Sequence, residues 1–209
     1  MKNKILKINE IFYSIQGEGG RAGTPTVFVR LSGCNLSCPF CDTKGHEEGI
    51  ELTLNSILAR IMQLTGKIPD DMNPVWITWT GGEPTLQLTR EIVRFFKEKG
   101  YRQAIETNGI NNLSDLVRLD YITISPKNRQ ALEHAAFTHA DEVRVPYPTS
   151  LELNEVRNKL ISKRYYVSPI FNENDRMETL QNIKNAIEYC LHNPKWSVSL
   201  QLHKLINIK

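Results

Sequence analysis

Two hydrophobic rhythms alternate along the chain. Short runs of β-branched and aromatic residues, such as TVFVRL at 26–31 and VWITWT at 75–80, read as strands. Between them, apolar positions recur at helical spacing. Leu54, Ile57, Leu58, Ile61 and Leu64 form one stripe over 53–65. Leu88, Ile92, Phe95 and Phe96 form a second, with Gly100 as its stop. Met177, Leu180, Ile183, Ile187 and Cys190 form a third within a helix predicted over 175–191, where Cys190 packs as a small hydrophobe. A further helix is predicted over 151–160. Further strands are predicted near 5–12 and at 101–106, 121–125, 141–145, 165–169 and 197–202.

Strands that alternate with helices pair in parallel through right-handed crossovers. About six or seven such units are too few to close an eight-fold barrel. The expected fold is therefore α/β, a partial (β/α) barrel in a single domain spanning 1–209, with a flat doubly wound sheet as the alternative. In both, ligands gather at the carboxyl ends of the strands. The chemically suggestive residues fall there: the cysteines after 26–31, Gly81 and Gly82 after 75–80, Glu106 to Asn108, and Ser125 to Lys127.

Composition narrows the class without naming a chemistry. At 209 residues, 40% hydrophobic and 23% charged, the chain has the balance of a globular protein with its own core. The net charge of +3 is scattered rather than clustered, which gives no argument for a nucleic-acid partner. No apolar run is long enough to span a bilayer, and MKNKILKINEIF does not read as a signal peptide. The expectation is a cytoplasmic protein, where grouped cysteines more often bind metal than form disulfides.

Cys34, Cys38 and Cys41 form a Cys-x₃-Cys-x₂-Cys run, CNLSCPFC. Three thiolates can hold three irons of a cubane cluster and leave the fourth open, whereas an electron-transfer cluster takes four cysteines. The alternatives are a zinc site with His46 as fourth ligand, or three unconnected thiols. TGGEP at 80–84 follows a strand, and its glycines let a bound molecule approach the backbone. SIQGEGGRAGTP at 14–25 is glycine-rich but lacks the nucleotide-triphosphate pattern. It reads either as part of a ligand site or as a flexible hairpin tip with Glu18 in water. Alternation in TVFVRL puts Val27 and Val29 on one face and Phe28 and Arg30 on the other. An inward arginine needs an anion, either a ligand or a carboxylate such as Glu18.

These residues carry a resemblance. CNLSCPFC resembles the cysteine signature of the radical S-adenosylmethionine (SAM) enzymes, and TGGEP resembles their motif for the methionine amino group. More narrowly, EIFYSIQGEGGRAGTPTVFVRLSGCNLSCPFCDT at 10–43 is similar to the 7-carboxy-7-deazaguanine synthase family. ETNG at 106–109, SPK at 125–127 and LQLHKLINIK at 200–209 match as well. The resemblance implies a partial barrel, a homodimer, a [4Fe–4S] cluster, SAM and Mg²⁺. It implies a radical SAM carbon–nitrogen lyase of queuosine and deazapurine biosynthesis. In that reaction a 5′-deoxyadenosyl radical takes hydrogen from C6 of 6-carboxy-5,6,7,8-tetrahydropterin, ammonia leaves, and SAM is regenerated. A flavodoxin or ferredoxin would be the reductant.

Residue by residue, the resemblance implies that Cys34, Cys38 and Cys41 bind the cluster and Thr43 gives Mg²⁺ an oxygen ligand. Phe40, Asp42, Gly82, Ser125, Pro126, Lys127, Ser168, Pro169, Ile170 and Phe171 would contact SAM. Ile15, Gln16, Gly17, Glu18, Arg30 and Thr80 would line the pterin site, with His203 and the terminal carboxylate of Lys209 closing it. No side chain beyond the cofactor ligands is assigned a catalytic role. The rival readings are an activating enzyme for a glycyl-radical protein, a small iron–sulfur electron carrier, and a zinc-bearing binding module.

Overall fold

The computed structural model describes residues 4–43, 47–66, 68–69, 74–112 and 119–209. Its centre is one nine-stranded sheet in the order β3-β1-β2-β4-β5-β6-β7-β8-β9. The strands are β1 (Ile5–Ile15), β2 (Pro25–Leu31), β3 (Ile50–Thr53), β4 (Trp76–Gly81), β5 (Arg102–Thr107), β6 (Tyr121–Ile124), β7 (His139–Tyr147), β8 (Ile161–Pro169) and β9 (Ser197–Val198). From β2 to β9 every pairing is parallel; β1 pairs antiparallel with β2 and β3 at one edge. The helices are α1 (Leu54–Thr65), α2 (Arg90–Lys97), α3 (Arg129–Glu133), α4 (Leu153–Lys159), α5 (Arg176–His192) and α6 (Leu202–Leu205). This is a partial β/α barrel, as the alternation predicts.

Strand parity decides what faces where. Val27, Val29, Leu31, Ile77, Trp79 and Ile105 point to the outer face and are buried beneath α1 and α2. Ile124, Val143, Val145 and Val167 continue that face beneath α3, α4 and α5. The opposite parity, read across the register Arg30↔Thr80 and Glu106↔Thr123, lines the barrel interior with polar groups. Local chemistry sets the helix ends. Thr53 caps α1 by accepting from the Ser56 amide at 3.1 Å, worth about 1 kcal/mol. Gly66 (φ 61°) and Gly100 (φ 83°) end their segments in the left-handed region.

Two expectations need correction. The last strand covers only Ser197–Val198. Beyond Ser199, whose amide still bonds the Val167 carbonyl, the chain leaves the sheet. The Leu202 amide reaches the Gly17 carbonyl at 3.0 Å, and α6 forms over the barrel mouth. The apolar stripe of α5 is not its buried face: Met177, Leu180 and Ile187 are exposed, and Thr179, Asn182 and Ala186 are buried. The helix docks through Ala186 and Tyr189 on the second core and through polar contacts, the Asn172 amide to Thr179 Oγ1 and Asn182 Nδ2 to the Ile170 carbonyl. Cys190 is partly buried against the second core. The short elements β3 and α3 carry too few apolar positions to show a period. Among the described residues, no helix is long and apolar enough to cross a membrane.

Candidate active site

One cavity opens at the carboxyl ends of the parallel strands. Every residue assigned above to cluster, SAM, metal or pterin lines it except Pro126, which is buried behind Ser125 and Lys127. His46, the fourth ligand of the zinc alternative, lies outside the described residues.

The cysteine wall is a loop after β2. Cys34 and Cys38 are half-buried and Cys41 is exposed; all are free thiols. The loop is braced from its neighbours. Asn35 Oδ1 accepts from Asn108 Nδ2 at 2.7 Å. Asn108 in turn donates its amide to Glu83 Oε2 at 2.8 Å, and Thr107 donates to Glu83 Oε1 at 2.7 Å. Glu83 is 1% exposed, so the acidic residue of TGGEP is a bracket between the β4 and β5 loops. The glycines of the same motif serve backbone packing. A Cβ on Gly82 would sit 1.9 Å from the Gly33 carbonyl oxygen, so only glycine lets the two loops meet.

The facing wall is charged and buried. Glu18 comes from the β1–β2 turn, Glu106 from β5, and Glu142 and Arg144 from β7. Arg144 Nη2 lies 2.9 Å from Glu106 and 3.7 Å from Glu18, and Nη1 lies 3.5 Å from Glu142. Glu106 also accepts from Gln16 at 2.9 Å, and Thr80 Oγ1 lies 3.5 Å from it. Burial works against the Glu106 charge, but Arg144 and the Gln16 amide outweigh it and hold the carboxyl below the usual range. Burial opposes the Arg144 charge too, and Glu106, Glu18 and Glu142 hold it protonated all the more firmly.

The glycine-rich turn is a plug rather than a mobile tip. Gly19 (φ 68°) donates to Ser199 Oγ at 2.8 Å and Gly20 to Glu142 at 2.7 Å. A Cβ on Gly19 would meet the Glu142 carboxylate at 2.2 Å, and one on Gly17 would meet His203 Nδ1 at 2.0 Å. Glu18 is therefore paired and largely buried, not in water. Ser168 Oγ lies 2.8 Å from Glu18 Oε1, on the polar wall.

Arg30 is partnered by Glu10, 3.9 Å away, rather than by Glu18. The C-terminal segment covers the mouth. Burial, with help from Lys204 and Arg30, lowers the His203 pKa against the opposing pull of Glu18 and Asp42. Lys204 reaches Asp42 at 3.2 Å. The Lys209 ammonium pairs with Glu10, and its backbone oxygen accepts from Ser14. Sequence reading missed Arg144 and Glu142. The signal lies in DEVRV, where the two charges share one strand parity and Val143 and Val145 take the other.

The model for the radical SAM superfamily matches residues 28–139, more than half the chain. The 7-carboxy-7-deazaguanine synthase of Bacteroides thetaiotaomicron is 38% identical over 204 residues, covering 97% of this chain and 98% of that protein. That of Haemophilus influenzae is 37% identical over 213 residues, covering 98% and 94%. The chain belongs to the 7-carboxy-7-deazaguanine synthase family of the radical SAM superfamily. It is accordingly an enzyme, and the glycyl-radical activase reading is not favoured. In fold, this family member is similar to the crystal structure of QueE from Escherichia coli, with a TM-score of 0.67 at 24% identity, covering 95% of both chains.

The superfamily implies a [4Fe–4S] cluster and SAM, and the donor set fits. Three free thiols stand on one side of a cavity whose other side is polar. Among the described residues, no three His, Cys, Asp or Glu side chains converge on a single ion. A cubane takes one thiolate per iron, and three cysteines supply three of its four corners.

Proposed function

We propose that this enzyme converts 6-carboxy-5,6,7,8-tetrahydropterin to 7-carboxy-7-deazaguanine with release of ammonia, the activity named for its relatives. The observation that carries this reading is the pairing of a three-thiol wall with a buried carboxylate–arginine wall across one cavity. Cys34, Cys38 and Cys41 would hold the cluster, with Phe40, Gly82, Ser125, Lys127 and Ile170 beside the SAM site. The cluster and SAM together supply a carbon-centred radical able to remove a hydrogen atom from an unactivated carbon.

The chain's own residues bind, orient and enclose. Glu18 and Glu106 accept N–H groups from the pterin's amino and amide edge. Arg30, 28% exposed in its side chain and paired with Glu10 only at 3.9 Å, has donors left for the substrate carboxylate. His203, neutral near pH 7 because its pKa is lowered, leaves that carboxylate's charge to Arg30. The segment from Gln201 to Lys209 covers the mouth and limits water, which a radical requires. Thr43, buried at the cavity edge, would offer Mg²⁺ an oxygen beside the substrate carboxylate. A flavodoxin or ferredoxin reductant, a homodimer and a cytoplasmic setting complete the proposal.

The test is an anaerobic incubation of iron- and sulfide-reconstituted protein with SAM, a strong reductant and the carboxytetrahydropterin, read by mass spectrometry. The expected product is 7-carboxy-7-deazaguanine. SAM cleavage with the pterin untouched would overturn the substrate assignment and leave the superfamily chemistry standing.

A further inference from the structure

Arg144 is the most heavily shared cation in the cavity wall. It is 5% exposed and lies within 4 Å of three carboxylates from three separate segments. Those carboxylates are not equivalent. Glu142, 2% exposed, is already occupied: it accepts from the Gly20 amide at 2.7 Å, Tyr121 Oη at 2.9 Å and Thr123 Oγ1 at 3.1 Å. It does not line the cavity. Glu18 and Glu106 do, and both reach the same nitrogen, Nη2. One guanidinium, anchored from behind, thus faces two acceptors that open toward a ligand.

We infer that Arg144 is a positioning residue that holds Glu18 and Glu106 side by side through one shared guanidinium nitrogen, as a paired acceptor for the aminopyrimidinone edge of the ligand. This deepens the pterin reading and rests on it. The physical reason is a sign change. Three crowded carboxylates without a cation take up a proton. A protonated carboxyl then points a donor at the ligand's own N–H donors, and the edge is rejected instead of read. Two other cations, Arg21 and Lys127, act on Glu106 at longer range, but among the described residues only Arg144 forms ion pairs with Glu18 and Glu106. Arg21 is stacked 3.9 Å from the Trp76 ring centroid, and its one hydrogen bond goes to Thr78. Lys127 donates to Ser125. The other titratable groups facing the cluster are His203 from the C-terminal segment and Tyr121, Tyr166 and Arg164 from the neighbouring strands.

The test compares wild type with Arg144→Met and Arg144→Lys in reconstituted holoenzyme. Equilibrium binding of the carboxytetrahydropterin should weaken about 100-fold in Arg144→Met, since one partner of a buried charge cluster is removed, and by less than about 10-fold in Arg144→Lys. SAM affinity should stay within about 3-fold in both, because the SAM wall is untouched. Infrared difference spectra, with Glu18→Gln and Glu106→Gln backgrounds for assignment, should show a protonated carboxyl at pH 7 in Arg144→Met alone. That signal needs no ligand. If wild type does not bind the pterin, the functional reading falls, while the infrared titration still decides whether Arg144 keeps the pair charged. Unchanged pterin binding in Arg144→Met, or ionised carboxylates in it at pH 7, overturns the inference. So does a parallel loss of pterin binding, SAM binding and melting temperature that Arg144→Lys does not rescue. Should Arg144→Met fail to fold, the Glu142→Gln/Arg144→Met double variant relieves one repelling charge and carries the same readouts.

Discussion

The cysteine loop and the Glu18–Glu106–Arg144 cluster face each other across one cavity, but they are held in different ways. The loop is a single contiguous segment, partly open to solvent. Its thiols make only weak contacts, the Leu36 amide to Cys34 at 3.4 Å and Cys41 to the Thr43 carbonyl at 3.8 Å. The charged cluster joins Glu18 of a turn to Glu106, Glu142 and Arg144 of two strands far along the chain, tied by ion pairs and hydrogen bonds among its members. On the proposed reading, one wall would be finished by the cluster it holds, because metal binding supplies ordering energy. The other is finished by folding, so that recognition groups are in place before a ligand arrives.

The sharpest way to break that contrast is Cys34→Ala. Iron loading and product formation should be abolished, a loss of at least about 10⁴-fold in rate, because the chemistry belongs to the cofactor. The melting temperature of the metal-free protein should barely move, within about 0.5 kcal/mol of stability. A large loss of fold would show that the loop is structural.

Glu142→Ala should do the reverse. It leaves the Gly20 amide, two hydroxyls and Arg144 short of an acceptor, at a cost of about 3–5 kcal/mol in urea unfolding. A cost under about 1 kcal/mol would mean the charged wall is not preorganised.

Gly82→Ala acts on the cysteine wall through its backbone packing. Its Cβ would collide with the Gly33 carbonyl, so the cysteine loop must shift. The expected cost is about 1–3 kcal/mol by thermal unfolding, with reduced iron stoichiometry after reconstitution. Full iron loading would show that the loop tolerates displacement.

The smallest effect is in pH. Glu106 has a folded pKa below its usual 4.5, so the unfolded chain takes up the proton first. Its contribution to stability is complete above that value and is lost as pH falls through the folded one. Glu106→Gln should therefore flatten the acid limb of a stability–pH curve. An unchanged limb would assign acid sensitivity to other carboxylates.

The same contrast explains what the sequence reveals. The cysteine wall is legible because its signal is local: three thiols within eight residues, and glycines where two backbones touch. The β/α alternation is legible because strand and helix periods differ. The charged wall is only half legible. Parity marks Arg30 as inward, but its partner Glu10 lies across an antiparallel pair that no local pattern announces. From the residues alone Glu18 is undecided between a ligand site and a solvent-facing tip, until Arg144 and Ser168 close on it from distant strands. The exposed stripe of α5 misleads because the helix docks through a mixed face, with Ala186, Tyr189 and Cys190 on the second core and polar bonds to the Ile170–Asn172 segment.

The central claim is that one wall makes the radical and the other chooses what it meets. The most direct measurement is the ratio of 5′-deoxyadenosine released to 7-carboxy-7-deazaguanine formed by Arg144→Met holoenzyme under reducing, anaerobic conditions. The account predicts that SAM cleavage persists while product falls, raising the ratio at least about tenfold over wild type. An unchanged ratio, with both activities falling together, would contradict it.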